Sequence, residues 1–158
     1  MNTNRQQSRY YPADQNSSAK MCVMDHSQQL IPYILCMADL NFPCHAKIGL
    51  TEVSKLVKPI EIAFPVERIS QEEIVKDTLN FLSDANLLAV KFVDEKLIEI
   101  RLTAKGLSLL RQNLKIGDDV AEVNFRYFVR NYAKFNVDKL SEGVESALVS
   151  FEMQWARN

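Results

Sequence analysis

Positive charges recur at a regular spacing toward the C-terminal end of the chain. Arg126, Arg130 and Lys134 follow one another every four residues, a spacing that places them on one side of a helix. Basic side chains beside a tyrosine, here Tyr127, can grip the phosphates of a nucleic acid. The alternative is an ordinary solvated helix face, on which Glu122 would pair with Arg126 one turn later. Both interpretations remain open at this point.

Cysteines and histidines could in principle bind a metal or act as nucleophiles. Structural zinc sites usually bring ligands in pairs, as C-x₂₋₄-C or H-x₃₋₅-H, and these spacings are absent. The chain also lacks a P-loop and a G-x-G-x-x-G motif, and its four glycines are well separated. We therefore predict no metal, no cofactor and no enzymatic activity. The residues considered as ligands were Cys22, His26, Cys36, Cys44 and His45.

Composition limits the remaining classes of function. The chain has 158 residues, 19 Lys and Arg against 20 Asp and Glu, and a net charge of -1. This balance argues against a protein that coats nucleic acid by charge alone, although a local basic face remains possible. An odd number of cysteines, no apolar run long enough to span a bilayer and no signal-peptide pattern predict a cytoplasmic protein without a membrane segment.

The N-terminal half is predicted to contain helices and short links. Residues 1–26 are rich in Asn, Gln and Ser and are predicted to form a flexible polar leader. A buried helix is expected from Leu30 to Phe42, with Pro32 in its first turn. Residues 46–49 could add a brief strand, Thr51 is expected to cap a helix that ends at Lys58, and residues 59–69 are expected to be an apolar linker.

Stronger local signals occupy the middle of the chain. Ser70 and Glu73 form a capping box at the start of a helix, and Asn86 is suited to a left-handed residue at its end. The buried stripe of this helix is predicted as Ile74, Thr78, Phe81 and Leu82. A hairpin of residues 88–93 and 97–102 follows. Thr103 then caps a further helix, which should end near Gly117.

Two helices are predicted to close the chain. The first is expected to begin at Asp118 and Asp119 and to run through Phe135, and the second to begin near Asp138. The second helix carries an apolar stripe that could join two copies of the chain into a homodimer. The candidate dimerisation residues are Leu140, Val144, Leu148, Phe151 and Trp155.

The segment that leaves the hairpin carries a family signature. Residues 97–110 read Leu-Ile-Glu-Ile-Arg-Leu-Thr-Ala-Lys-Gly-Leu-Ser-Leu-Leu, and residues 79–88 read Leu-Asn-Phe-Leu-Ser-Asp-Ala-Asn-Leu-Leu. Over about residues 27–115 the chain resembles winged-helix regulators of the MarR and PadR types. The resemblance implies a mainly α fold with a small β-hairpin wing, made of a winged-helix domain (27–117) and a C-terminal helical pair (118–158). It also implies a transcriptional regulator that binds double-stranded DNA as a homodimer.

Two departures from the family pattern keep other functions open. The linker 59–69 is longer than the usual turn between the second and third helices, and residues 70–87 carry a net charge of -3 where phosphates would lie. One alternative is a winged-helix module that binds another protein without DNA. Another moves DNA binding to the basic residues of the later helices, which include Lys115. The candidate DNA contacts are Gln71, Lys76, Asn80, Lys91, Lys96, Lys105, Arg111, Arg126, Arg130 and Lys134.

Overall fold

The fold is α+β, mainly helical with a small antiparallel sheet. The computed structural model describes residues 18–57, 60–62, 67–115 and 122–157. Six α-helices lie in these ranges: α1 (Ser18–Asn41), α2 (Leu50–Ser54), α3 (Gln71–Asp84), α4 (Ala104–Leu110), α5 (Phe125–Arg130) and α6 (Val137–Arg157). The strands are β1 (Ala46–Gly49), β2 (Ile60–Ile62), β3 (Glu67–Ile69), β4 (Leu88–Phe92), β5 (Leu97–Leu102), β6 (Asn113–Leu114) and β7 (Val123–Asn124).

Helix α1 is the centre of the packing. It contacts α3, α5, α6 and strand β5, so it joins the N-terminal and C-terminal parts around one core. Its buried side chains include Leu30, Ile34, Leu35 and Ala38, as expected for a helix that is apolar over most of its surface.

The start of α1 differs from the prediction. The helix begins at Ser18, so the last part of the predicted leader is helical and Pro32 lies inside the helix, not in its first turn. Residues 1–17 of the leader lie outside the described part. Pro32 has no N–H to donate to the preceding turn, a loss that the burial of its neighbours Ile31 and Ile34 offsets.

A three-stranded sheet forms from segments far apart in the chain. Strand β5 lies between β1 and β4 and pairs antiparallel with both, with Ala46 opposite Ile100 and Leu88 opposite Leu102. The predicted hairpin is therefore confirmed, and the brief strand at 46–49 becomes its third member. The alternation of β5 is confirmed too, because Ile98, Ile100 and Leu102 are buried.

The capping signals of the middle region are confirmed. The hydroxyl of Ser70 accepts a hydrogen bond from the Glu73 N–H at 3.2 Å, and that of Thr103 accepts from the Gly106 N–H at 3.0 Å. Asn86 adopts the left-handed conformation, with φ of 61°. A Cβ on Gly106 would lie 2.2 Å from the Leu87 carbonyl oxygen, so only glycine lets α4 approach the start of β4 this closely.

Several predicted boundaries are wrong. Helix α2 follows Gly49 directly and ends at Ser54, so Thr51 is inside it and not its cap. The linker 59–69 contains the paired strands β2 and β3. Phe81 is exposed, because Val75 and Leu79 occupy the buried face of α3 instead.

The later boundaries differ for a tertiary reason. Helix α4 ends at Leu110, and the chain then forms β6, which pairs with β7 just before α5. Helix α5 accordingly begins at Phe125, with Asn124 as its cap, and not at Asp118 and Asp119, which lie outside the described residues. It stops at Arg130, and a separate 3₁₀ turn (Tyr132–Lys134) follows. The start predicted near Asp138 for the last helix is confirmed.

Candidate nucleic-acid interface

The outward face of α3 is acidic. Ile74, Leu79 and Leu82 turn into the core, which leaves Glu72, Glu73, Asp77 and Asp84 outside against the single cation Lys76. The Glu73 carboxylate accepts a hydrogen bond from the Ser70 hydroxyl at 3.2 Å, and both Glu73 and Glu72 suit the positive end of the helix dipole. The same charges would repel phosphates, so this face contributes little non-specific affinity for DNA.

Three candidate base readers on α3 have different surroundings. The side-chain amide of Gln71 is half-buried and donates a hydrogen bond to the Val57 carbonyl, which ties the start of α3 to the chain after α2. This engagement removes the amide nitrogen from contact with a base. Lys76 and Asn80 are exposed one turn apart on the same face, where they can reach a ligand.

The tip of the β4–β5 hairpin combines cations, the two acids Asp94 and Glu95, and apolar side chains. Lys91 and Lys96 are exposed there, as are Phe92 and Val93. The carboxylate of Asp94 accepts hydrogen bonds from the backbone N–H groups of Lys96 at 2.7 Å and Leu97 at 2.8 Å. These bonds hold the pKa of Asp94 below its usual range, so the tip keeps a negative charge beside its lysines.

The basic residues of α4 are not equally accessible. Lys105 has its side chain only 11% exposed, with Nζ 3.0 Å from Glu152 and lying over the Phe151 ring at 6.0 Å from its centroid. This lysine therefore links α4 to α6 and does not face a phosphate surface. Arg111 and Lys115, beyond the end of α4, are exposed.

The predicted basic stripe is divided between two structures. Arg126 and Arg130 lie on α5, whereas Lys134 lies on the 3₁₀ turn that follows. Both arginines point toward Asp39 of α1: Nε of Arg130 is 2.7 Å and Nε of Arg126 is 3.2 Å from the same carboxylate oxygen. These arginines therefore do not form a solvated helix face on which Glu122 pairs with Arg126. They also do not form a stripe of unpaired cations along one helix.

Asp39 is the residue of this cluster that sequence reasoning missed. Its side chain is only 3% exposed, on a helix that is otherwise apolar at this point. A carboxylate buried in this way needs a cationic partner. The isolated Asp39 between Ala38 and Leu40 indicated that a cationic partner is needed. The sequence did not show which cations lie close to it.

Half-buried side chains surround the cluster. Tyr33 and Tyr132 meet edge to face, with ring centroids 6.3 Å apart. Burial raises the pKa of the Cys36 thiol, with Arg130 opposing and Asp39 adding to the shift. Burial also raises the pKa of Tyr132, with smaller contributions from Tyr33 and Cys36. Both groups are consequently neutral at pH 7 and leave the charge of the cluster to Asp39 and the two arginines.

The candidate dimerisation stripe lies mainly inside the chain's own core. Leu140, Val144 and Phe151 are buried, and Leu148 is partly buried against them. Because these side chains already contact α1 and its neighbours, they do not present an interface to a second copy, and this part of the prediction is corrected. The side chain of Trp155 lies outside the described residues.

The cysteines and histidines of the described ranges are not gathered into a metal-binding cluster. No group of three His, Cys, Asp or Glu side chains there could hold a metal ion. Cys44 and His45 are exposed beside β1, Cys36 lies in α1, and the side chains of Cys22 and His26 are outside the described part. No helix among the described residues combines the length and apolar character needed to cross a bilayer.

Comparisons with protein-family models, with curated proteins and with solved structures find no match for this chain. Its function has to be inferred from its own geometry and charge.

Proposed function

We propose that this chain is a winged-helix protein that binds double-stranded DNA and regulates transcription. The observation that carries the proposal is the order α1–β1–α2–β2–β3–α3–β4–β5, in which the paired strands β2 and β3 separate α2 from α3, together with a sheet in which β5 lies between β1 and β4. Apart from β2 and β3, this is the arrangement expected from the resemblance to MarR- and PadR-type regulators. In helix-turn-helix domains the second helix of the motif enters the major groove, a role that α3 would fill here.

The contact surface would consist of α3 and the hairpin tip. Lys76 and Asn80 would face the groove, while Lys91 and Lys96 would contact the backbone. The displaced surface on α4 and α5 is less favourable, because it lacks a continuous row of cations: Lys105 is only 11% exposed, and Arg126 and Arg130 converge on one carboxylate. Arg111, Lys115 and Lys134 alone form a weak anchor for phosphates.

A fluorescence polarisation assay with random duplex DNA at several salt concentrations tests the proposal. We expect an affinity that rises as salt falls, and a salt slope that drops by about one in Lys91→Gln and in Lys96→Gln, which each remove a backbone contact. Lys115→Gln removes one exposed charge outside the surface and is the matched control. No binding even below physiological salt would contradict DNA binding by this chain.

A second candidate function is a winged-helix module that binds another protein. The acidic face of α3 and the engaged Gln71 amide favour it, because both weaken contact with DNA. Neutralising the acid with Glu72→Gln and Asp77→Asn distinguishes the two functions. If α3 faces DNA, the double variant binds duplex more tightly; if α3 faces a protein, DNA affinity is unchanged and a partner recovered with the unaltered chain is lost.

Homodimer formation and a cytoplasmic location belong to the same proposal. Helix-turn-helix proteins commonly read two half-sites as dimers, and a dimer of this chain would need a surface other than the buried stripe of α6. Analytical ultracentrifugation at several protein concentrations tests the dimer. The free thiols of Cys36 and Cys44 fit a reducing compartment.

A further inference from the structure

We infer that Arg126 and Arg130 form a binding site for the phosphate group of a small molecule, with Asp39 as its positioning residue. The site lies where α5 packs on α1, outside the surface proposed for DNA. It does not depend on DNA binding, so it can be tested whatever the outcome of the DNA experiment.

The geometry brings two guanidinium groups together. Both Nε atoms approach the same Asp39 oxygen, at 2.7 Å for Arg130 and 3.2 Å for Arg126. The sum of these two distances is an upper limit on the separation of the two Nε atoms. The Asp39 carboxylate lies between these two positive groups and offsets their mutual repulsion, so both can stay close together.

The charge of the cluster is not balanced. One carboxylate faces two guanidinium groups, which leaves an excess of one positive charge, and Cys36 and Tyr132 are neutral. Nε of Arg126 is buried and finds no hydrogen-bond partner among the described residues, since its approach to Asp39 has poor geometry. Because this atom is buried, an additional acceptor for Arg126 has to approach the exposed part of its side chain.

Both arginine side chains are partly exposed, although the Nε atom of Arg126 is buried. The Arg126 and Arg130 side chains are 37% and 43% exposed, whereas Asp39 is 3% exposed beneath them. Each guanidinium offers five N–H donors in a planar fork, and such forks match the oxygens of a phosphate group in pairs. The arrangement thus holds two partly exposed arginine side chains together above a buried carboxylate.

A free phosphate group fits the cluster better than a DNA backbone does. A duplex is gripped by a row of cations along a surface, but this cluster is a single site with one excess charge. Tyr33, Cys36 and Tyr132 are half-buried beside it and contribute no positive charge. Inorganic phosphate is therefore the appropriate probe.

The test is a titration of the full-length chain with sodium phosphate at constant ionic strength, followed by NMR of the arginine Nε–H groups. We expect saturable shifts for Arg126 and Arg130, sulfate as a competitor and no comparable effect of chloride. Arg126→Gln should weaken phosphate binding about tenfold, because one of two charge-assisted forks is lost. Linear, unsaturated shifts that chloride reproduces would overturn the site.

Matched variants separate the site from general charge effects and from DNA. Arg111→Gln removes an exposed arginine elsewhere and should leave phosphate binding unchanged; an equal loss in this control would overturn the proposal. Arg126 is preferred over Arg130 for substitution because its contact with Asp39 is longer, so the fold is better preserved. If Arg126→Gln weakens duplex DNA instead and leaves phosphate binding intact, the arginines contact a DNA backbone and the proposal is wrong.

Discussion

A single buried acid contributes to the attachment of α5 to α1. Asp39 is the residue of α1 through which Arg126 and Arg130 of α5 are held, across a helix pair that is otherwise apolar or aromatic. Burying an unpaired carboxylate costs several kcal/mol, so the acid favours the arrangement in which α5 covers it. The ion pair contributes specificity of packing as well as stability.

Arg130→Gln tests the strength of this attachment. It removes the 2.7 Å contact and leaves Asp39 buried with the more distant Arg126. We expect a loss of about 2 kcal/mol in the free energy of unfolding, below the value for a fully buried pair because the guanidinium is partly exposed. Urea denaturation measures it. Arg111→Gln should change the free energy by less than about 0.5 kcal/mol, and equal effects of the two variants would show that the pair adds nothing.

Asp94 makes part of the stability depend on pH. Its pKa is lowered in the folded protein, so the carboxylate stabilises the fold above the pKa that it has in the unfolded chain. That contribution is lost as the pH falls through the lower, folded-state pKa. Asp94→Asn keeps an acceptor oxygen but does not titrate at this position. We therefore expect the difference in melting temperature between the two proteins to shrink in acid, below about pH 4.

The comparison uses thermal unfolding at a series of pH values. Glu95→Gln is the control, since Glu95 is an exposed neighbour in the same turn. A difference between the original chain and Asp94→Asn that stays constant with pH would contradict the role of the two backbone hydrogen bonds.

At the scale of elements, caps connect the hairpin to its flanking helices. The Thr103 hydroxyl accepts from the Gly106 N–H at 3.0 Å and donates to the Asn86 carbonyl at 2.6 Å, so it joins the start of α4 to the end of α3. Thr103→Ala should cost about 1–2 kcal/mol of stability, whereas Thr103→Ser keeps both bonds and should cost less. Guanidinium denaturation of the two variants compares them. Equal losses would assign the effect to the lost methyl group instead of the hydroxyl.

Local signals predicted those elements that local interactions stabilise. Ser70, Asn86 and Thr103 marked helix ends because caps act within three or four residues, and β5 was visible in its alternation. The end of α4 could not be predicted from local signals, because it depends on the pairing of β6 with β7 across an intervening segment of the chain. The partners of Asp39 were missed for the same reason: a tertiary contact leaves no trace in residue spacing.

For the candidate site, the sequence predicted which residue types are present. It did not predict which of these side chains are exposed and which already pair with another residue of the chain. The sequence predicted Lys105 as a phosphate ligand, but its ammonium group contacts Glu152 and lies over the Phe151 ring. Regular spacing also suggested that Lys134 continues the line of Arg126 and Arg130, but α5 ends before it. Spacing predicts a shared face only while the helix continues.

At the scale of the whole molecule, α6 belongs to the core. Val144 is fully buried, and α6 contacts α1, α4 and α5. We expect Val144→Asp to unfold the protein, because a buried unpaired charge costs more than about 4 kcal/mol. Circular dichroism and sedimentation together measure the result. The control is Val149→Asp, which lies on the exposed side of the same helix and should stay folded. If Val144→Asp stays folded and is monomeric while the unaltered chain is a dimer, Val144 belongs to the dimer interface that the sequence predicted.

The order of strands in the sheet has a consequence for synthesis on the ribosome. Strand β1 leaves the ribosome long before β5, its only partner in the sheet, has been translated. Chains fold from the N-terminal end as they are made, and pairing between distant segments comes late. The β4–β5 hairpin closes first because its partners are adjacent, and it then offers β5 as a template for β1. A nascent chain that stalls before residue 97 therefore lacks the strand with which β1 pairs and against which Ile48 is buried.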